Sequence, residues 1–257
     1  MVMIVLRLSH TSLDMFNTCG WKYKLKYIDH VKPYIPIRWA LVTGVAFHNL
    51  VNKMYMECRF DYTFLRSMWN AEFMDALEKE SSGFSSTEGW ETHLGYGYGL
   101  IKKFYEFAKE NNYLVKPIFT EWGFEIEYNG VKIVGKVDIA FEREDCVELL
   151  DFKSGWGNPT QEQVDNNLQL TTYSWAVRQH FNFTKPLKVG LFLPRFGVVK
   201  LSDRDEAQQL AMLGQFTRFK EAVDNEAYSP IYPNDKCNTC ELNEHCTFFK
   251  NKSQVAS

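Results

Sequence analysis

An α/β (α+β) fold, with a sheet flanked by helices, is predicted for this 257-residue chain by two observations. Apolar residues recur at helical spacing on both sides of a middle segment, and within that segment the pattern switches to alternation around Asn129-Gly130. The order read from these periods is helices, three strands, a helix and a strand. Hydrophobic residues make up 45% of the chain, enough core for one or two domains. A charged fraction of 24% and a net charge of −3 exclude both a disordered polar chain and a basic coat protein. No apolar run reaches spanning length, and Met1 to Leu6 is too short for a signal-peptide core. The expectation is a soluble cytoplasmic protein with no membrane partner.

Ser9 to Ile28 reads as one capped helix, with Leu13, Phe16, Cys19 or Gly20, Tyr23 and Tyr27 at helical spacing. From Cys19 to Ala40, Lys22, Lys24, Lys26, Lys32 and Arg38 are interleaved with Trp21, Tyr23, Tyr27, Tyr34 and Trp39. That mixture suits a nucleic-acid backbone with bases to stack on, which makes Trp21, Lys22, Lys24, Lys26 and Arg38 candidate contacts. A solvated helix face is the alternative. Thr43 to Cys58 is a second helix, striped by Phe47, Leu50, Val51, Met54 and Tyr55, with His48 beside the stripe. Helical patterns follow near 61–80 and 92–110, the later one striped by Leu94, Tyr98, Ile101, Tyr105 and Ala108.

Trp122, Phe124, Ile126 and Tyr128 then alternate with Glu121, Glu125 and Glu127, and Asn129-Gly130 signals a tight hairpin. The return strand alternates Val131, Ile133, Val137, Ile139 and Phe141 against Lys132, Lys136 and Asp138. With a two-residue loop, Tyr128 faces Val131, and counting back puts Glu121 opposite Asp138, away from the aromatic core. Two carboxylates placed there repel unless a cation joins them. Glu121 can then be a metal ligand, a neighbour of the ligands, or a structural group.

Val147 to Lys153 is a third strand, on which Asp151 and Lys153 share a face. After the loop Ser154–Pro159, Thr160-Gln-Glu-Gln163 forms a capping box that opens a helix to about His180. Gln169 and Tyr173 lie one above the other on it. Leu187 to Leu193 is a strand, Val198 to Leu201 pairs after Pro194-Arg-Phe-Gly197, and Ser202 caps a last helix to about Val223. Residues 250–257 read as a disordered tail.

Of six cysteines, Cys237, Cys240 and Cys246 form C-x2-C-x5-C, a metal-binding spacing in a reducing compartment. A fourth ligand is needed. His245 is local, but adjacent side chains rarely reach one ion without strain, so a distant cysteine is the better candidate. Cys58 and Cys146 read as ordinary buried thiols, and Cys19 remains.

Asp138 followed by Asp151-Phe152-Lys153 is an acid pair with a lysine on neighbouring strands. Two carboxylates can hold a hard cation such as Mg²⁺, which lowers the pKa of bound water and polarises a phosphate. Lys153 can orient that water or neutralise developing charge, and His48 can reach the same metal from its helix.

The ordered set Leu8-Ser9…Ser12…Cys19…Tyr23…Tyr27, Gly44-x3-His48, Gly135-Lys-Val-Asp138, Asp151-Phe-Lys153-Ser-Gly155, Gln169-x3-Tyr173 and the terminal cysteines covers residues 8–246. It resembles the PD-(D/E)XK nuclease superfamily, in the iron–sulfur branch that includes the CRISPR adaptation nucleases, the AddB nuclease domain and exonuclease V. RecB is a cluster-free relative.

The resemblance implies a restriction-endonuclease-like core with a central mixed sheet. It also implies a single nuclease domain over 1–257, its cluster-bearing segments at 8–30 and 229–249, its helical part at 43–115 and its catalytic sheet at 117–201. It implies that Cys19, Cys237, Cys240 and Cys246 hold a 4Fe-4S cluster joining the two chain ends, with Zn²⁺ the alternative. His48, Asp138, Asp151 and the Phe152 carbonyl would bind Mg²⁺ or Mn²⁺. Lys153 would be catalytic, and Gln169 and Tyr173 would position DNA or the lysine. Gly20 departs from the proline that many relatives carry after the first cysteine. The implied activity is an exonuclease acting on single-stranded DNA or DNA ends, in a bacterial, archaeal or phage-infected cell. A helicase, recombination or CRISPR-adaptation protein is the implied partner. A non-catalytic DNA-binding module of a larger complex is the alternative function.

Overall fold

The computed structural model describes residues 6–32, 39–80, 89–231 and 235–249. It contains two compact units, one of Pro36–Gly123 with Lys136–Glu206, the other of Met1–Ile35, Phe124–Gly135 and Ala207–Ser257. The predicted tail at 250–257 lies outside the described residues, as does Arg38.

The sheet is mixed, as predicted. β1 (Leu6–Leu8) runs parallel to β3 (Val131–Glu142), which is antiparallel to β4 (Val147–Phe152). β4 is parallel to β5 (Leu187–Leu193), and β5 is antiparallel to β6 (Val198–Ser202). β2 (Phe119–Tyr128) pairs with β3. Asn129 and Gly130 both adopt left-handed backbone, at φ 46° and 74°, which the two-residue hairpin turn demands. Val131, Ile133, Val137, Ile139 and Phe141 are all buried, as their alternation requires.

In the unit of Pro36–Gly123 and Lys136–Glu206, three long helices pack on the sheet: α3 (Trp39–Met56), α4 (Tyr62–Glu80) and α5 (Trp90–Glu110). Their core joins Phe47, Leu50, Trp69 and Phe104 to Phe152 and Phe192 of the strands. α3 starts four residues earlier than its apolar stripe suggested, and that stripe is entirely buried. The stripe of α5 is rotated from the expected one: Leu100 and Phe104 are buried, whereas Tyr98 and Tyr105 are only partly so. The Tyr98 hydroxyl donates to Asn70 at 2.7 Å on the outside of the helix pair, which keeps its ring at the rim.

β4 is buried along all six residues because strands lie on both sides and helices on both faces. Its charged residues must therefore find partners. Glu148 accepts from the Tyr113 hydroxyl at 3.0 Å and from Arg143 Nε at 2.9 Å. Asp151 belongs to the site described below.

The helix expected over 160–180 is two helices, α6 (Gln161–Asp165) and α7 (Leu168–His180). The Thr160–Gln163 capping box opens the first. Asn167 caps the second, its Oδ1 accepting from the Leu170 amide at 3.0 Å, and such a local side-chain bond restarts a helix rather than continuing one. Ser202 is the last residue of β6, not a helix cap; its hydroxyl accepts from the buried Arg204, and the last helix, α8, spans Glu206–Asp224.

In the other unit, the single helix expected over Ser9–Ile28 is interrupted. α1 (His10–Thr18) carries a complete Ser9–Ser12 capping box. Cys19 is extended at φ −168°, and α2 (Gly20–Tyr23) passes into a π-helical turn over Lys24–Ile28. A close backbone approach accompanies the break: a Cβ on Gly20 would lie 3.0 Å from the Ser229 carbonyl oxygen. Phe16, Tyr23 and Phe219 form the aromatic core of this unit.

Gly97 sits against the fully buried Trp69, whose indole N–H donates to the Leu94 carbonyl at 2.9 Å. A Cβ at Gly97 would fall 1.8 Å from the indole. Gly97→Ala is expected to destabilise the protein by roughly 1–3 kcal/mol through overpacking, despite the helix-favouring change. A denaturant midpoint equal to that of the parent would contradict this packing.

Candidate active site

The candidate site lies in the unit of Pro36–Gly123 and Lys136–Glu206. Three ligand-type atoms, one each from His48, Glu121 and Asp138, lie within 4.8 Å of one another. His48 comes from α3, where it flanks the buried stripe and is half-buried; its Nδ1 is 3.5 Å from Asp138 Oδ2. Carboxylate oxygens of Glu121 and Asp138 come together here. Glu121 has left-handed backbone at φ 50°, a departure from regular strand geometry that alternation could not reveal. Lys136 forms an ion pair with Glu121.

Asp138 is held from β4 as well, because its Oδ2 accepts from the Phe152 amide at 2.8 Å. The Phe152 backbone also acts on His48, favouring its charged form against burial, so one peptide segment bears on both groups. Asp151, 2% exposed, lies one residue earlier on the same strand. Its Oδ1 accepts from Gln169 Nε2 at 2.7 Å, and its Oδ2 is 2.6 Å from the Lys153 ammonium. Lys153 Nζ donates to Gln169 Oε1 at 3.1 Å. Gln169 and the Tyr173 hydroxyl are 2.7 Å apart, one turn along α7. The helix restart at Asn167 puts Gln169 in the first turn of α7.

The face carrying these carboxylates is therefore not an open solvated surface. α7 packs on β4 and β5, and Gln169 and Tyr173 project onto the acid pair.

The electrostatics follow from that enclosure. Burial, and then the charge of Asp151, raise the pKa of Asp138 from 3.8 to about 7, against the Phe152 amide, Lys153 and Lys136. Burial lowers the pKa of His48 despite the nearby Asp151 charge, which favours the neutral imidazole that binds metals. Burial and the Asp151 charge push the Tyr173 phenol well up, so it remains protonated. Two carboxylates and an imidazole converge where carboxylate charge is costly, and a hard divalent cation would relieve that cost.

Arg195 and Asn52 carried no recognised signal in the sequence, whereas Gly44 belongs to the Gly44-x3-His48 motif. Arg195 Nε donates to the Ser154 carbonyl at 2.8 Å and so anchors the segment after Lys153. Asn52, one turn beyond His48, pairs with the Thr120 hydroxyl next to Glu121. Gly44 leaves room for Ser154, whose Oγ would be 3.2 Å from a Cβ there. The i, i+4 spacing of Gly44, His48 and Asn52 was the available clue.

In the other unit, Cys19, Cys237, Cys240 and Cys246 all line one cavity of about 220 Å³. His245 is exposed and does not line it. Cys58 is exposed and Cys146 buried, both away from this cavity. Trp21 and Lys22 line the same cavity. Lys22 Nζ is 2.9 Å from Glu241, and Trp21 meets Phe248 edge-on at 5.1 Å, so both residues tie the chain ends together. Lys24 pairs with Asp29 at 2.6 Å, and Lys26 lies over the Tyr27 ring.

The pKa of Asp138 gives a prediction for the metal-free protein. The folded chain keeps this proton up to about pH 7, whereas 3.8 is the ordinary value. Its stabilising contribution is thus complete below 3.8 and lost as pH rises to about 7. In EDTA, Asp138→Asn should flatten the fall in Tm across that window. An unchanged pH profile in the variant would refute the assignment.

The family model of the PD-(D/E)XK nuclease superfamily matches residues 7–247. The Gene 69 protein of Mycobacterium phage D29 is 25% identical over 274 residues, covering 94% of this chain and 97% of that protein. The crystal structure of a candidate exonuclease from Eubacterium rectale aligns at a TM-score of 0.56 and 13% identity, covering 93% of this chain and 87% of that one. At that identity the likeness bears on the fold.

Proposed function

The chain belongs to the PD-(D/E)XK nuclease superfamily, and on that premise we propose that it is a Mg²⁺- or Mn²⁺-dependent DNA exonuclease acting on single strands or DNA ends. The observation that carries the reading is the convergence of His48, Glu121 and Asp138 beside the Asp151–Lys153–Gln169 network. The donor set fits a hard cation: carboxylate oxygens dominate, and the one nitrogen donor is a neutral imidazole. His48, Asp138, Asp151 and the Phe152 carbonyl would hold it, with Glu121 as a further ligand or as the partner that Lys136 retains.

A cation bound there would lower the pKa of a water and draw charge from the scissile phosphate. Hydrolysis forms one P–O bond from that water and breaks another, and the leaving oxygen takes up a proton. Lys153 is placed to orient the water or neutralise the phosphate oxygens. Gln169 holds the ammonium and Asp151 in register, since it bonds to both. Tyr173, fixed against Gln169, limits the movement of that amide.

The same reading takes 1–257 as one nuclease domain, because the family match runs through both units. It assigns Cys19, Cys237, Cys240 and Cys246 to a structural 4Fe-4S cluster. All four line one cavity, which supports a shared metal group.

The test is cleavage of end-labelled single- and double-stranded DNA by anaerobically purified protein, with Mg²⁺, Mn²⁺ or EDTA. Asp151→Ala and Lys153→Ala should each lower the rate by roughly 10²-fold or more while preserving the circular dichroism spectrum. Full activity in either variant would overturn the assignment. Separately, Cys237→Ser should lose iron–sulfur absorbance and lower Tm; a colourless parent protein containing zinc would replace the cluster with zinc.

A further inference from the structure

Beyond the acid–lysine network, the loop after β4 carries a group that packing does not explain. Trp156 is 71% exposed, the most exposed of the large hydrophobic side chains among the described residues. It sits in Ser154-Gly-Trp-Gly-Asn-Pro159, three residues past Lys153. Chain reach alone keeps its Cα within about 11 Å of that of Lys153. A Cβ at Gly155 or Gly157 would meet no atom within 4 Å, so the space beside the indole is open.

The ring is backed by a cation. The Arg195 guanidinium lies 4.0 Å from the indole centroid, and Arg195 Nε is bound to the Ser154 carbonyl. Lys103 Nζ donates to the Arg195 carbonyl at 3.2 Å, and the neighbouring Phe196 ring is exposed. Burial, and then the charge of Arg195, lower the pKa of His93, which stacks on Trp39 at 5.3 Å and meets the exposed Tyr96. Arg195 and Lys103 thus lie beside exposed aromatic rings, the combination that holds single-stranded nucleic acid by its phosphates and stacked bases.

Resting on the nuclease reading, we infer that Trp156 is the platform on which an unpaired base next to the scissile phosphate stacks, with Arg195 as the positioning residue behind it. The occupant is a single strand, because a base still paired within a duplex is stacked on its neighbours. With the guanidinium against the ring, the indole is still 71% exposed, which leaves surface for the base. The platform lies within a nucleotide or two of Lys153, so it would hold a strand end in register with the acid pair.

The experiment measures anisotropy of fluorescein-labelled oligo-dT in EDTA, where binding is read without turnover, alongside steady-state cleavage in Mn²⁺. Trp156→Ala should weaken single-strand binding by about 5- to 150-fold and raise KM similarly, with kcat largely kept. Trp156→Phe should restore most of the affinity. An oligonucleotide of abasic sites should bind the parent and Trp156→Ala alike. Unchanged oligo-dT affinity in Trp156→Ala would overturn the inference, as would an equal loss on the abasic strand or on blunt duplex. Failure of the nuclease reading is distinguishable: a parent that never cleaves, yet loses oligo-dT affinity in Trp156→Ala, keeps the platform and loses the hydrolase.

Discussion

Two carboxylates, Asp138 and Asp151, held side by side with little access to water, set the terms for the rest of the candidate site. Burial makes charge on Asp138 costly, and groups around both acids divide the task of offsetting it. Lys153 and Gln169 both bear on Asp151, and the Phe152 amide on Asp138. The remaining imbalance appears as the raised pKa of Asp138. This imbalance distinguishes the site from Glu148, a buried acid on the strand that carries Asp151. Glu148 is satisfied by Tyr113 and Arg143 and leaves no place for a cation. Glu148 on β4 and Asp138 on β3 thus take opposite parts, one closed by its partners and the other left under-compensated.

The other unit solves a different problem. Its segments are short and far apart in sequence, and its core is modest, so its ends need fastening. Gly20 against Ser229, Lys22 to Glu241 and Trp21 on Phe248 join the first segment to the last. They surround the cavity that four cysteines line. The basic–aromatic run that suggests a nucleic-acid surface in the sequence is, at Trp21 and Lys22, occupied with this fastening.

What was legible in the sequence depended on whether local patterns decided the outcome. The α3 stripe, the hairpin at Asn129-Gly130 and the alternation of β3 are set by periods of a few residues, and each is present. The break at Cys19 was not legible, because it coincides with the approach of a backbone more than 200 residues away. The restart at Asn167 carried a local signal, an asparagine cap, hidden within an otherwise continuous helical pattern. For the site, spacing placed Asp151 and Lys153 on one face, and the hairpin signal brought Glu121 near Asp138. The left-handed Glu121 and the anchoring of Ser154 by Arg195 depend on tertiary packing, which no single-residue periodicity encodes.

The division of the chain between the units has a consequence for synthesis on the ribosome. All of the acid–lysine network lies within residues 48–173 of the 257. By contrast, the unit containing α1 needs its first thirty-five residues, a short hairpin tip and the final stretch beyond Ala207. Its segment around Cys19 is made before residues 48–173, whereas Cys237, Cys240 and Cys246 are made after them. The strands and helices around the carboxylates are complete before the amino-terminal helices have anything to close against. Synthesis of the segment from Ala207 on, rather than emergence of α1, sets the time at which that second unit can assemble.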